Sequence, residues 1–223
     1  MPDRPSLTHA ELPPPPAPAV RDTRTRILDA ARDLFVSVGY ARVTMRRIAD
    51  AIGYTPTTIY LHFKDKDAML REMVAGDFLA MAARFRQIAG IADPVERLRA
   101  TGMAYIEYGL QYPNHYRLIF MTSNVPTLDE AGPIAATDRG NPEHDAYAFF
   151  TNTVRACVEA GRFRPEFRDV EQVSQMLWGA VHGVVSLYIA KSHDKWLDWK
   201  PPLDIARTLI DTLTLGLADD ASR

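Results

Sequence analysis

The sequence predicts an all-α protein. Apolar residues recur at helical spacing along most of the chain after residue 21, and no segment sustains the alternation of a half-buried strand. Threonine or aspartate also precedes several periodic segments, where a helix N-cap is expected. Residues 1–20 are rich in proline and predict a flexible arm. Residues 21–67 predict a small helical head, and residues 68–223 a larger helical body.

The first two helices of the head are indicated by their apolar stripes and by the glycines that follow them. Gly39 closes the first stripe, and Thr44 and Gly53 bound the second helix. The two stripes consist of Ile27, Ala31, Leu34, Phe35 and Val38, and of Met45, Ile48, Ala49 and Ile52.

The third and fourth helices follow at once. Thr55 is a predicted N-cap with Pro56 at the first helical position, and this short helix ends near His62–Phe63. Asp65 is the next predicted N-cap, of a helix that runs to about Ala89. Further helices are predicted near 93–111, 114–122, 143–160, 169–191 and 203–218, with a turn-rich loop at 123–142.

The composition is that of a soluble globular protein, with 47% hydrophobic and 24% charged residues among 223. Cys157 is the single cysteine, so no internal disulfide can form and a reducing compartment is indicated. We find neither an apolar run of the roughly 18 residues that span a bilayer nor the apolar region of a signal peptide near the start. The sequence therefore predicts a cytoplasmic protein.

Charge is distributed unevenly between head and body. The chain has a net charge of −2, yet residues 21–66 contain nine basic and five acidic side chains, a net charge of +4. A basic head on an acidic body indicates that the head meets a polyanion.

Cations stand where helix N-termini normally favour acids. Arg46 and Arg47 follow Thr44, and Lys66 follows Asp65. A phosphate bound at such a helix start would explain these cations, because its negative charge would attract both the helix N-terminus and the neighbouring basic side chains. Two helices joined by "GYT" and packed on a preceding helix also predict a helix-turn-helix unit, so the expected polyanion is DNA.

The third helix is suited to a DNA groove. Ile59 and Phe63 are its expected inward residues. Small hydroxyl and aromatic side chains remain outward or at the edge, namely Thr57, Thr58, Tyr60, Leu61 and His62. Threonine can bond bases or touch a thymine methyl, while tyrosine and lysine reach phosphates.

Residues 22–70 resemble the DNA-binding domain of the TetR family of transcriptional repressors. The family pattern "A-x-x-L-F-x-x-x-G-Y", "T-x-x-x-I-A-x-x-x-G", "Y-x-H-F-x-x-K-x-x-L" is matched at every position except the last, where Met69 stands and Leu70 follows one residue later. The matching residues are Ala31, Leu34, Phe35, Gly39, Tyr40, Thr44, Ile48, Ala49, Gly53, Tyr60, His62, Phe63 and Lys66.

The resemblance implies a DNA contact for most exposed polar residues of this segment. Phosphate contacts are expected from Thr44, Tyr60 and Lys66, and base contacts from residues around Thr55, Thr57 and Thr58. Lys64 is a further expected DNA contact. Arg46 and Arg47 fit either role, or a solvated surface. His62 fits either a packing role at the end of the recognition helix or a base contact. Arg21, Arg24 and Arg26 fit either an arm that reaches the adjacent DNA or a solvated segment.

The last two predicted helices, 169–191 and 203–218, are apolar around much of their circumference. A helix that is apolar on two sides is usually buried on both. We therefore expect a homodimer in which each subunit gives these two helices to a four-helix interface.

The body also predicts a ligand pocket. "LWGAVHGVVSL" resembles the W-x-x-x-H-G pattern of one C-terminal subclass of the family, with Trp178, His182 and Gly183. The expected lining is Tyr105, Phe120, Phe149, Phe150, Trp178 and His182, although aromatic residues and a lone histidine at helical spacing more often belong to an ordinary core. No acid or base in the inward stripes indicates a charged ligand.

The sequence thus predicts a ligand-responsive regulator that binds a palindromic DNA operator as a repressor and is released by a small molecule. A helical small-molecule-binding or adaptor protein without operator recognition is the alternative. No catalytic motif and no metal-ligand spacing stands out, so we expect neither an enzyme nor a cofactor nor a metal.

Overall fold

The computed structural model describes residues 22–122 and 138–219, and in these ranges it is helical with no named strand. The prediction of an all-α chain is confirmed. The helices are α1 (Thr23–Val38), α2 (Met45–Ile52), α3 (Pro56–His62), α4 (Lys66–Arg86), α5 (Pro94–Gln111), α6 (Pro113–Phe120), α7 (Ala146–Glu159), α8 (Val170–Lys191) and α9 (Pro202–Leu217). The arm at 1–20 and most of the loop at 123–142 lie outside the described residues.

The predicted caps of the head are present. The hydroxyls of Thr44 and Thr55 and the carboxylate of Asp65 each accept a backbone N–H at the start of α2, α3 and α4. Gly53 ends α2 in the left-handed region with φ 71°, a conformation that glycine adopts without steric cost. Helix α4 ends at Arg86, three residues earlier than expected, and tight turns follow it.

Two apolar cores lie on either side of a shared helix. The head core packs α1, α2 and α3 around Ile27, Phe35 and Ile48, and it takes in Met69 and Leu70 from the first turns of α4. The main body core packs α4 to α9 and includes Phe85 from the last turn of α4. Helix α4 therefore belongs to both units.

Helix α8 runs through the body against α5, α7 and α9. By length and composition it could cross a bilayer, with 22 residues and a mean hydropathy of 1.3, and it is the single such helix in the described ranges. The sequence estimate of a shorter apolar run missed this. Val173, Val181 and Val185 of α8 are buried, and 44% of the apolar window of this helix is buried inside the structure.

Candidate DNA-binding surface and ligand cavity

The short helix α3 buries one edge and exposes the rest. Ile59 and Phe63 are buried, as expected from the sequence. Tyr60 is 56% exposed and Leu61 is 81% exposed, and Thr57 is also exposed. An aromatic ring, a leucine and a hydroxyl therefore face outward from the second helix of the helix-turn-helix.

The threonines predicted as DNA contacts do not occupy equivalent positions. The hydroxyl of Thr44 accepts a hydrogen bond from the backbone N–H of Arg47, and that of Thr55 accepts one from the backbone N–H of Thr58, both at 3.2 Å. The hydroxyl of Thr58 lies 3.0 Å from that of Thr55. Among these four threonines, Thr57 is the exposed residue whose hydroxyl does not serve the start of a helix.

Arg46, Arg47 and Lys64 are exposed around α2 and α3. Arg46 makes a long contact to Asp50, with 4.0 Å between Nε and Oδ2. Exposed ion pairs of this kind contribute little to stability. These three cations can therefore turn toward an approaching phosphate.

Lys66 is placed differently from these cations. Its ammonium is half-buried and donates to the carbonyl oxygens of Tyr40 and Val43 at 2.9 and 3.3 Å, and it lies 4.3 Å above the Tyr40 ring. The two carbonyl oxygens, in the turn after α1, thus stabilise the positive charge of Lys66 at the start of α4. This geometry favours a role in joining α4 to the head, and the phosphate contact remains a prediction.

The basic residues near the start of α1 also make contacts within the head. Arg24 pairs with Glu72, donates to the carbonyl oxygen of His62 at 2.9 Å and stacks on the Phe63 ring. Arg26 donates to the Tyr54 hydroxyl at 2.8 Å. Arg24 thus holds the end of α3 against α1, and Arg26 holds the turn between α2 and α3. Arg21 lies outside the described residues.

The body contains a cavity of about 270 Å³ that is lined by residues of all six helices from α4 to α9. The lining is almost wholly apolar. Four of the six predicted ligand-binding residues line it, namely Tyr105, Phe120, Phe150 and Trp178. Phe149 packs against Phe85, with 5.6 Å between ring centroids, and does not belong to the lining. His182 is likewise not among the lining residues, and its Nδ1 contacts tyrosine hydroxyls.

These hydroxyls form a small polar cluster at the wall of the cavity. The hydroxyl oxygens of Tyr116 and Tyr105 lie 2.6 and 3.1 Å from Nδ1 of His182. Trp178 donates its indole N–H to the Tyr105 hydroxyl at 3.2 Å. The indole N–H of Trp178 and Nδ1 of His182 therefore have hydrogen-bond partners within the protein.

The polar cluster is uncharged near neutral pH. Burial lowers the pKa of His182, which favours the neutral imidazole. Burial also raises the pKa of both Tyr105 and Tyr116, so their phenols stay protonated. The cavity wall at this cluster thus presents hydrogen-bonding groups but no net charge.

One ionisable group in the lining was missed by sequence reasoning. Asp77 on α4 is 5% exposed and lines the cavity, so the inward stripe of α4 carries an acid that the sequence analysis did not single out. The signal was available, because Asp77 lies four residues after Met73 and four before Met81, in register with the buried stripe of α4. Arg32 pairs with this carboxylate and balances its charge.

The head and body together define a helix-turn-helix DNA-binding regulator with a cavity in its helical body. Residues 27–73 match the profile of bacterial regulatory proteins of the tetR family, and residues 98–213 match a tetracyclin repressor-like C-terminal domain. The chain belongs to the TetR family of DNA-binding transcriptional regulators. Members of this family bind DNA operators and act as dimers.

Several known proteins are similar to this chain. The HTH-type transcriptional repressor KstR2 of Mycobacterium tuberculosis is 28% identical over 71% of this chain and 77% of its own length. The HTH-type transcriptional regulator UidR of Escherichia coli is 34% identical over 39% of this chain and 38% of its own length.

Solved structures share the fold. The ketosteroid transcriptional regulator KstR2 of Mycobacterium tuberculosis has a TM-score of 0.70 at 22% identity, over 90% of this chain and 97% of its own. The fatty acid degradation regulator FadR of Bacillus halodurans also has a TM-score of 0.70, at 19% identity, over 87% of this chain and 95% of its own.

Proposed function

We propose that this protein is a homodimeric repressor that leaves a palindromic operator when a small, uncharged and largely apolar molecule fills the body cavity. The observation that carries the proposal is the position of α4. Its first turns bury Met69 and Leu70 in the head core, while Met81 and Phe85 further along it line the cavity. A ligand that prefers one placement of α4 would therefore change the placement of the head.

The chemistry of the ligand is proposed from the cavity lining. Rings and aliphatic side chains dominate the lining, and the charge of Asp77 is balanced by Arg32. A charged ligand would lose its hydration there without gaining a partner. The names of two structurally similar regulators mention ketosteroids and fatty acid degradation, which is compatible with an apolar ligand.

The DNA-facing residues are proposed from exposure and residue type. Arg46, Arg47 and Lys64 would contact phosphates, and Tyr60 would contact a phosphate through its hydroxyl. Thr57 is the proposed base reader on α3. Thr44 and Thr55 cap the N-termini of α2 and α3, and they would contact the DNA at these helix starts.

The dimer interface is proposed on the exposed face of α8 and α9. Met176 and Leu187 on α8 and Leu215 on α9 are 43%, 50% and 55% exposed, and they place large apolar side chains on the surface of these two helices. Gly179 and Gly183 lie on the same face of α8, with nothing within 4 Å of an added Cβ. A second copy could approach this smooth strip closely, and two copies would form a four-helix interface.

Location and chemistry follow from the same function. A regulator that binds DNA would work in the cytoplasm, and it needs neither catalysis nor a cofactor. Within the ranges that the structure describes, no group of three or more His, Cys, Asp or Glu residues is placed to hold a metal.

A ligand screen coupled to a DNA-binding assay tests the proposal. Uncharged aromatic and alicyclic compounds are screened for a rise in Tm, because a ligand of the native state stabilises it by mass action. The compounds found should lower the affinity for a selected DNA fragment by about tenfold or more. Leu213 lines the cavity, so the larger side chain of Leu213→Trp should fill part of it and weaken the binding of these compounds. Compounds that bind the cavity without changing DNA affinity would instead support the alternative of a small-molecule-binding protein without operator control.

Thr57→Ala should relax sequence preference at one base pair of each half-site. Loss of a good base contact costs about 1–3 kcal/mol for the preferred base and nothing for the others. Competition binding with single-base variants of the operator measures this. Thr25→Ala, on an exposed residue of α1, is the matched control. A uniform loss of affinity across all variants would contradict base reading by Thr57.

Lys64→Ala and Lys66→Ala should differ, although two positions separate them. Lys64→Ala should reduce the salt slope of DNA binding by about one unit, as expected for a phosphate contact. Lys66→Ala should instead lower the free energy of unfolding by about 1–3 kcal/mol, because two carbonyls lose a charged donor. Salt titrations and urea denaturation separate the two effects. If Lys66→Ala is stably folded and its salt slope of DNA binding falls by a full unit, Lys66 contacts a phosphate after all.

A further inference from the structure

The carboxylate of Asp77 joins three helices inside the protein. Arg32 on α1 donates from Nη1 to Oδ2 at 2.6 Å and from Nη2 to Oδ1 at 3.1 Å. On α6, Nδ1 of His115 lies 2.7 Å from the same Oδ1. Both Arg32 and Asp77 are buried. A buried ion pair thus connects the first helix of the head to the body.

The same residue is part of the cavity wall. Asp77 lines the cavity together with Tyr108, whose hydroxyl donates to the backbone oxygen of Asp77 at 3.4 Å. The Tyr108 ring packs on Tyr112, and Tyr112 packs on His115, with centroid distances of 5.1 and 5.4 Å. A molecule in the cavity would therefore contact the residues that hold the ion pair in place.

The ion pair is sensitive to small displacements. Nε of Arg32 is buried, and it has no hydrogen-bond acceptor among residues 22–122 and 138–219. A buried charge is strongly destabilised when its partner moves away, because little water is present to replace the partner. Either α1 follows a shift of Asp77, or Arg32 is left without its main acceptor.

We propose that Asp77 is the positioning residue through which an occupied cavity changes the placement of the head, by shifting its carboxylate relative to Arg32. The inference rests on the proposed function, because it presupposes that occupancy of the cavity controls DNA binding. It adds the route of this control.

A neighbouring contact offers a matched control. Asn114 on α6 donates from Nδ2 to Oδ1 of Asp33 on α1 at 2.9 Å. This bond also links α1 to the body, but it is exposed, and neither residue lines the cavity. Its removal should weaken the junction without breaking the route from the cavity.

The experiment fills the cavity covalently, so that no natural ligand is needed. Leu213, a half-buried lining residue on α9, is replaced by cysteine and alkylated with monobromobimane, an uncharged bicyclic reagent. Cys157 should stay unlabelled, because it is buried and burial raises its pKa to about 12. Mass spectrometry verifies a single adduct.

The readout is the ratio of the Kd values for DNA of labelled and unlabelled protein. The DNA is a fragment selected from random sequence by unlabelled Leu213→Cys protein. Each variant is compared with itself, so a purely structural loss of affinity cancels in the ratio. The backgrounds are Leu213→Cys alone, and Leu213→Cys with Asp77→Asn, with Arg32→Met and Asp77→Leu together, or with Asn114→Ala.

We expect the label to weaken DNA binding about tenfold or more in Leu213→Cys and in the Asn114→Ala background. The ratio should fall below about twofold with Asp77→Asn. The paired apolar replacement should give the same result and keeps the test valid if Asp77→Asn does not fold, because a buried ion pair can be replaced by apolar residues without loss of the fold.

Two other outcomes are decisive and distinguishable. A tenfold effect that persists when Asp77 is replaced, or one that Asn114→Ala also abolishes, overturns the role of Asp77 and leaves the proposed function standing. No effect of the label in Leu213→Cys itself overturns the proposed function, and the inference with it.

Discussion

Asp77→Ala should lower the free energy of unfolding by about 3–5 kcal/mol, because it leaves the buried guanidinium of Arg32 without a counter-charge. Arg32 and Asp77 have side-chain exposures of 8% and 5%, so water cannot replace the lost carboxylate cheaply. His115 would lose its partner as well, but its side chain is 32% exposed and can be hydrated. Urea denaturation followed by far-UV circular dichroism measures the change.

Two comparisons separate the ion pair from general damage at this position. Arg32→Met with Asp77→Leu should recover most of the lost stability, since removal of both charges leaves none uncompensated. Asn114→Ala, at the exposed contact between α1 and α6, should change stability by only about 0.5 kcal/mol. A cost below about 1 kcal/mol for Asp77→Ala would mean that the pair is not held as described.

Leu187→Glu should separate the dimer and weaken operator binding by about 100-fold or more. Leu187 is 50% exposed on the α8 face proposed to meet a second copy, and a dimer would bury its carboxylate replacement against an apolar partner. Two linked heads bind two half-sites with an effective concentration that a single head lacks, which is worth about 10²- to 10⁴-fold. Sedimentation velocity and DNA titration measure the two effects.

Leu79→Glu is the matched control, because Leu79 is a similarly exposed leucine, 46% exposed, on α4. It carries the same change of charge and should remain dimeric with DNA affinity near that of the parent. A Leu187→Glu protein that sediments as a dimer would exclude the α8 and α9 face as the interface.

Much of the fold was predictable from local sequence. Thr44, Thr55 and Asp65 are caps both in the prediction and in the structure, because a cap depends on the residues within one turn of it. The inward positions Ile59 and Phe63 were likewise fixed by the helical period. The TetR family assignment, made from residues 22–70, is confirmed by matches over both head and body.

The partners of charged residues were not predictable, because they lie far away in sequence. Lys66 was expected to face a phosphate, yet its ammonium reaches carbonyls of Tyr40 and Val43, 26 and 23 residues away. Arg32 and Asp77 are 45 residues apart, and the stripe of α4 could show only that Asp77 is inward. The cavity has the same limitation, since helical spacing placed Phe149 and Phe150 in one stretch but only Phe150 lines it.

Selection of binding sites from random double-stranded DNA by this protein, with sequencing of the bound fraction, tests whether it recognises an operator as a homodimer. We expect one enriched motif with two-fold symmetry, its half-sites centred about one helical turn apart, roughly 34–36 Å, or a multiple of it. The same selection with Leu187→Glu should yield no symmetric motif. Enrichment of a single asymmetric site by the parent protein, or of no sequence at all, would contradict operator recognition by a homodimer.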